Sequence, residues 1–147
     1  MDNVVLTNMC MIEDGQGRVL LQERTGVWPG LAFPGGHVEP GESFVGSVIR
    51  EVWEETGLTL ERPRLCGIKQ FPTEDGRLYI GLYFKASHYS GQLRDSSEGR
   101  VLWMDRQLLP TSPLSDGLLE ALPVFEQDDL SEVYCRYVDG QWCTTLL

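Results

Sequence analysis

Glu51, Glu54 and Glu55 are adjacent or three and four residues apart, a spacing that places three carboxylates on one side of any helix containing them. At about 100° per residue, with Glu51 at zero, Glu55 lies near +40° and Glu54 near −60°. Val48, Val52, Val45, Thr56 and Ile49 fan over about +60° to +160°, so the neighbouring side should be core. Like charges this close repel by about a few tenths of a kcal/mol per pair, and Arg50, four residues before Glu54, offsets part of that. One reading is an ordinary solvated acidic face. The other is a divalent-cation site, because Mg²⁺ takes hard oxygen ligands and commonly combines one or two carboxylates with waters and substrate phosphates.

The helix that carries these acids is expected over Ser43 to Thr56, with Ser43 as its cap and Gly57 in the left-handed position that ends it. Ahead of it, Phe33-Pro34-Gly35-Gly36 allows a sharp turn, since glycine tolerates positive φ and close approach. A backbone carbonyl there can complete a metal shell. Pro40-Gly41-Glu42 makes a second turn that starts the helix. Strands are expected over Asn3 to Ile12 and Arg18 to Glu23, as a hairpin about residues 13–17, with an irregular loop over 24–36. Further strands are expected over Leu65 to Phe71, Leu78 to Ala86 and Val101 to Met104, with a polar loop over Ser87 to Gly99. A second helix is expected over Ser112 to Phe125, with Ser112 capping and Pro113 at its first position. The tail from Glu132 reads as a hairpin about Asp139-Gly140. Interleaved strands and helices with strands in excess predict an α+β domain, a mixed sheet between helices.

The chain has 147 residues, enough for one domain with its own core, so 1–147 is expected to be a single domain. Twelve Lys and Arg face 22 Asp and Glu, a net charge of −10, and only Lys69 and Lys85 are lysines. Duplex nucleic acid and anionic membrane surfaces should repel such a chain. A phosphate compound can still bind if a cation stands between; the plainer meaning of the charge is solubility. No stretch approaches the roughly 20 apolar residues of a membrane span. Cys10, Cys66, Cys135 and Cys143 form no CxxC pair, and His37 and His88 stand apart from them, which argues against zinc. The opening residues lack a basic n-region and a cleavage site, so a cytoplasmic protein with reduced thiols is expected.

Gly36, Glu42, Arg50-Glu51, apolar Val52, Glu54-Glu55, Gly57 and apolar Leu58, at intervals of five, seven, one and one residues, resemble the complete signature of the Nudix hydrolases over residues 36–58. Seven identities and two apolar classes agree, and a chance match is on the order of 10⁻⁷. The lead-in WPGLAFPGGHVEPGE resembles the MutT-like branch, often called 8-oxo-dGTP diphosphatases. The resemblance implies an α/β/α sandwich with a mixed central sheet. It also implies Mg²⁺- or Mn²⁺-dependent attack of water on phosphorus in a nucleoside diphosphate linked to another group. By position it implies that Glu51, Glu54 and Glu55 bind metal, with a carbonyl of Gly35 or Gly36. Arg50 would orient the carboxylates, and Glu42 would brace the loop and join the metal shell.

The expected reaction is cleavage of a nucleoside triphosphate to monophosphate and pyrophosphate, with an oxidised purine nucleotide such as 8-oxo-dGTP as substrate. The alternatives are another nucleoside diphosphate derivative (a nucleotide sugar or ADP-ribose) and a non-catalytic nucleotide binder. For the general base, Glu51 and Glu98 both stand as candidates; Glu98 in Asp95-Ser96-Ser97-Glu98-Gly99 also reads as a solvated loop acid. Arg24 reads as a phosphate ligand or a rim salt bridge, and His37 as a loop hydrogen-bonder. Asn8, Trp28, Phe33, Tyr79 and Tyr83 are candidates for a base pocket or for core. Pro72 and Tyr79 sit at poor distances from the signature for ADP-ribose or dinucleoside polyphosphate branches. Tyr134, Tyr137 and Trp142 in the tail either close the core or pack on a second copy as a homodimer.

Overall fold

The computed structural model describes residues 3–26 and 29–147. Trp28, a candidate for the base pocket, lies outside the described residues. In chain order the elements are β1 (Val4–Ile12), β2 (Arg18–Arg24), β3 (Gly30–Ala32), α1 (Phe44–Thr56), β4 (Leu58–Leu60), β5 (Arg64–Pro72), β6 (Leu78–Ala86) and β7 (Tyr89–Gly91). They continue with β8 (Val101–Asp105), a 3₁₀ helix (Arg106–Thr111), α2 (Leu118–Glu126), β9 (Glu132–Val138) and β10 (Gln141–Leu146).

The main sheet has five strands in the order β1-β6-β5-β9-β10. It is mixed: β1 runs parallel to β6 and β5 parallel to β9, while the other two pairs are antiparallel. Its alternating side chains feed two cores. Met9, Met11 and Tyr83 face the core that holds α2, with Leu118, Leu122 and Phe125. Cys10, Ile12, Leu82 and Phe84 face the core that holds Val48 and Val52 of α1. A helix thus covers each face, giving the expected α/β/α sandwich with a mixed central sheet. The four cysteines are free. Among the described residues no helix is long and apolar enough to cross a membrane.

β1 and β2 do not form the expected hairpin. They belong to different sheets, joined by a single bridge between Glu13 and Val19. The reason is hydrogen-bonding space. One edge of β1 is taken by β6. Residues 34–38 occupy the other edge through Asn8 N–H to the Gly36 carbonyl at 2.8 Å, Cys10 N–H to the Pro34 carbonyl at 2.9 Å and Val38 N–H to the Leu6 carbonyl at 3.0 Å. β2 pairs instead with β3 and β8 in a three-stranded sheet. The second helix also starts later than expected. Ser112 ends the 3₁₀ helix rather than capping α2, and Pro113 precedes the helix. Residues 113–115 are held extended by β3, with Leu31 N–H to the Pro113 carbonyl and Ser115 N–H to the Leu31 carbonyl, both at 2.9 Å. Two bonds to a neighbouring strand outweigh a serine cap worth about 1 kcal/mol.

The tail hairpin closes the sheet, with β9 seated beside β5 and a tight turn at Asp139 (φ 51°) and Gly140 (φ 80°). Tyr137 and Trp142 remain exposed on it.

Candidate active site

α1 begins and ends as its sequence dictates. The Ser43 hydroxyl accepts from Gly46 N–H at 2.8 Å, and Gly57 (φ 80°) takes the left-handed end. Val48 and Val52 are fully buried, but Val45, expected beside them, is exposed. Ser47 is buried instead. It is held by Asn8 Nδ2 at 2.9 Å and donates its own hydroxyl to the Phe44 carbonyl at 2.7 Å.

Residues 34–38 are pinned between β1 and α1. Asn8 Oδ1 accepts from Gly36 N–H at 3.0 Å, and Glu55 Oε2 accepts from Gly35 N–H at 3.0 Å. Neither glycine adopts positive φ, contrary to the expected sharp turn. Close approach is what they provide. A Cβ at Gly35 would lie 2.1 Å from the Asn8 carbonyl oxygen, and one at Gly36 would lie 2.3 Å from the Glu51 carboxyl carbon.

Arg50 ties this assembly together. Its Nε and NH2 grip both oxygens of Glu42 at 2.6 and 2.9 Å, NH1 donates to Glu51 at 3.0 Å and Glu54 at 3.2 Å, and NH2 also donates to the His37 carbonyl at 3.0 Å. Charge-assisted forks of this kind fix geometry as well as charge. The Arg50 hydrogen bonds hold the Glu42 carboxyl down, to about 2.

A cavity of about 450 Å³ opens beside this assembly. Glu51, Glu55 and Glu98 line one part of it, together with Gly35, Gly36, His37, Asn8 and Arg24. Burial pushes the Glu55 carboxyl up to about 7, with Arg24 and the Gly35 N–H opposing and Glu51 and Glu98 reinforcing. Burial also pushes Glu51 up, against the pull of Arg50 and with the push of Glu54 and Glu98. The loop acid Glu98 therefore stands within electrostatic reach of both.

The other candidates fall into place around these three. Glu54 is half exposed, and with Glu42 it lies outside the cavity lining, both turned to Arg50. Arg24 donates from NH2 to the carbonyls of Gly35 (3.3 Å) and Phe33 (3.5 Å), while its buried Nε has no partner among the described residues. Asn8 borders the cavity, yet both ends of its amide are engaged in holding Gly36 and Ser47. Phe33 does not border it. Its ring is wholly buried and meets Phe125 edge-on at 5.1 Å, so the substrate-wall reading of Phe33 gives way to core. Tyr79 and Tyr83 do line the cavity.

The opposite end of the cavity holds residues that the sequence reading passed over. Thr7, Lys69, Phe71 and Gly81 stand on the α2-side face of the main sheet, with Asp116 and Gly117 above them. Phe71 and Tyr79 stack at 4.5 Å from paired positions on β5 and β6. The period-two run Lys69, Phe71 and Tyr79, Gly81, Tyr83 is the signal that marks them. Asp116 was concealed by placing it inside a helix.

Glu51, Glu55 and the carbonyls of residues 35–36 form a hard-oxygen donor set. Both carboxyls are raised by burial and by neighbouring acids, Glu98 among them, a state that a divalent cation relieves. The residues thus fit Mg²⁺ or Mn²⁺ by donor chemistry. Among the described residues no group of three or more His, Cys, Asp or Glu side chains converges as a ready cage. Loading an ion therefore asks a carboxylate to turn inward.

Residues 5–125 match the family model of the NUDIX domain. A Bacillus subtilis protein named Nudix hydrolase YvcI is 35% identical over 117 residues, 76% of this chain and 72% of its own. An oxidized purine nucleoside triphosphate hydrolase of Danio rerio is 30% identical over 123 residues, 78% of this chain and 75% of its own. The crystal structure of a mutator MutT protein from Bacillus halodurans superposes with a TM-score of 0.81 at 28% identity, covering 97% of each chain.

Proposed function

Since the chain belongs to the Nudix family, we propose that it is a metal-dependent pyrophosphohydrolase. Its proposed reaction cleaves a nucleoside triphosphate to monophosphate and pyrophosphate, with an oxidised purine nucleotide such as 8-oxo-dGTP as substrate. The observation that carries this reading is the cavity itself: Glu51, Glu55 and Glu98 at one end, stacked Phe71 and Tyr79 at the other. A metal-screened polyphosphate and a flat base match those two ends. The similarity to the Danio rerio hydrolase supports the substrate class.

When bound, Mg²⁺ or Mn²⁺ supplies screening of the phosphate oxygens and polarisation of the reacting centre. Glu51 and Glu55 would hold it, with a carbonyl of Gly35 or Gly36, and the half-exposed Glu54 would join them by exchanging its Arg50 ion pair for the metal. Arg50 keeps Glu51 pointed at the cavity. Arg24 extends its guanidinium toward a phosphate oxygen. Glu98 takes the proton of the attacking water as its oxygen bonds to phosphorus, the phosphoanhydride bond breaks, and the bridging oxygen leaves with pyrophosphate. Glu98 is assigned this role over Glu51 because Glu51 is already engaged by Arg50.

The test is a substrate panel of 8-oxo-dGTP, dGTP, ADP-ribose and a nucleotide sugar, run on the wild type and on Glu98→Gln. The highest kcat/KM should fall on 8-oxo-dGTP, with 8-oxo-dGMP and pyrophosphate as products. Glu98→Gln should lose about a hundredfold in kcat while calorimetry shows Mg²⁺ binding intact. A preference for ADP-ribose or the nucleotide sugar would move the substrate to the alternative class. Wild-type turnover in Glu98→Gln would remove Glu98 from the mechanism.

A further inference from the structure

The chain carries an excess of acids, yet a lysine stands in the cavity wall with no carboxylate within ion-pair distance among the described residues. That residue is Lys69 on β5. Its ammonium lies 5.6 Å from the centroid of the Phe71 ring and 2.9 Å from where a Cβ at Gly117 would stand. The other lysine, Lys85, pairs with Glu13 at 3.5 Å. Lys69 is therefore a partly shielded donor whose partner within the protein is an aromatic face, a weaker partner than a carboxylate.

Beside Lys69, directly across the β5–β6 ladder, is Gly81. Gly81 has no positive φ, so its backbone does not call for glycine. A Cβ there would make only ordinary contacts, 3.6 Å from Thr7, 3.7 Å from Tyr83 and 3.8 Å from Lys69. Packing does not call for glycine either. The missing side chain opens the cavity floor between Lys69 and Thr7. A flat group lying there would present its edge to the ammonium.

We propose that Lys69, over the floor left open by Gly81, selects a purine whose edge carries a carbonyl: a 6-oxopurine nucleotide of the guanine or hypoxanthine type. This rests on the nucleotide reading above. An ammonium has donors only, so it donates to a ring carbonyl and opposes the amino group that adenine puts in the same place. Sites that bury a donor against a substrate acceptor discriminate strongly against an analogue that cannot accept. The metal end, with Glu51 and Glu55, takes the phosphates, which leaves the Lys69 end for the base.

The test compares kcat/KM for dGTP, dITP and dATP with Mg²⁺ in the wild type, Lys69→Met and Lys69→Arg. The wild type should favour dGTP and dITP over dATP. Lys69→Met, which keeps the length of the stem, should lower that preference about tenfold, mainly through KM. Lys69→Arg, which keeps the donors, should retain most of it. An equal loss on all three substrates would place Lys69 on a phosphate and overturn the proposal, as would an unchanged preference. A wild type that favours dATP overturns it without any variant, so misfolding of Lys69→Met leaves a decisive readout. Turnover of none of the three, nor of 8-oxo-dGTP, would instead overturn the nucleotide reading itself, and this inference with it.

Discussion

Glu55 shows what the site costs the fold. Its carboxylate is buried, it accepts the Gly35 N–H, and burial raises it to about 7 from an ordinary value of 4.5. A carboxyl raised in the folded state stabilises the protein fully below about 4.5, and that contribution is lost as pH rises through about 7. The metal-free wild type should therefore melt lower at pH 8 than at pH 5 through this residue. Glu55→Gln keeps an acceptor for Gly35 and removes the buried charge. At pH 8 it should raise the metal-free Tm by about 5 °C, lose that advantage near pH 5, and lose the Tm rise that Mg²⁺ gives the wild type. Differential scanning calorimetry at the two pH values reads all three; a lower Tm at pH 8 would show that the charge is needed for folding. The carboxylates Glu51, Glu54 and Glu55 were legible in the sequence because helical spacing alone groups them. Their different fates were not. Glu54 turning to Arg50 while Glu51 and Glu55 face the cavity depends on Arg50 reaching Glu42 eight residues away, a tertiary contact that no local spacing encodes.

At the scale of elements, the strongly periodic or capped pieces were legible: α1 between Ser43 and Gly57, β6 over Leu78–Ala86, and the tail hairpin at Asp139-Gly140. What escaped was short or non-local. β3, β4 and β7 have three residues each, too few for alternation to show, and their pairing comes from distant partners. The late start of α2 follows from β3 holding residues 113–115. That shift also brings Asp116 to the cavity. Phe33, a candidate for base pocket or core, resolves to core for the same reason: immediately after β3, it enters the α2 core. Phe33→Leu should therefore cost about 1 kcal/mol in chemical denaturation, with KM for the nucleotide unchanged. A raised KM with unchanged stability would return Phe33 to the substrate wall.

Across the whole molecule, the topology shows how a chain of net charge −10 could serve the polyanionic substrate proposed for it. The free edge of β1 takes residues 34–38, and α1 hangs its glutamates over that edge. The sheet face beside them carries Lys69, Phe71, Tyr79 and the open floor at Gly81. On the proposed function, repulsion of phosphate by the acidic chain would become selectivity for phosphate that arrives with a divalent cation. The family and the sandwich were legible because the signature of residues 36–58 is local; the Lys69 end of the cavity was not, because β5, β6 and the loop before α2 meet there only in the fold. The central claim is metal-dependent cleavage at the glutamate end, and it is tested most directly by following pyrophosphate from 8-oxo-dGTP while Mg²⁺ is titrated against EDTA. Pyrophosphate release that rises with Mg²⁺ and stops with chelation is the predicted result; no release at any Mg²⁺ concentration, or release indifferent to EDTA, would contradict it.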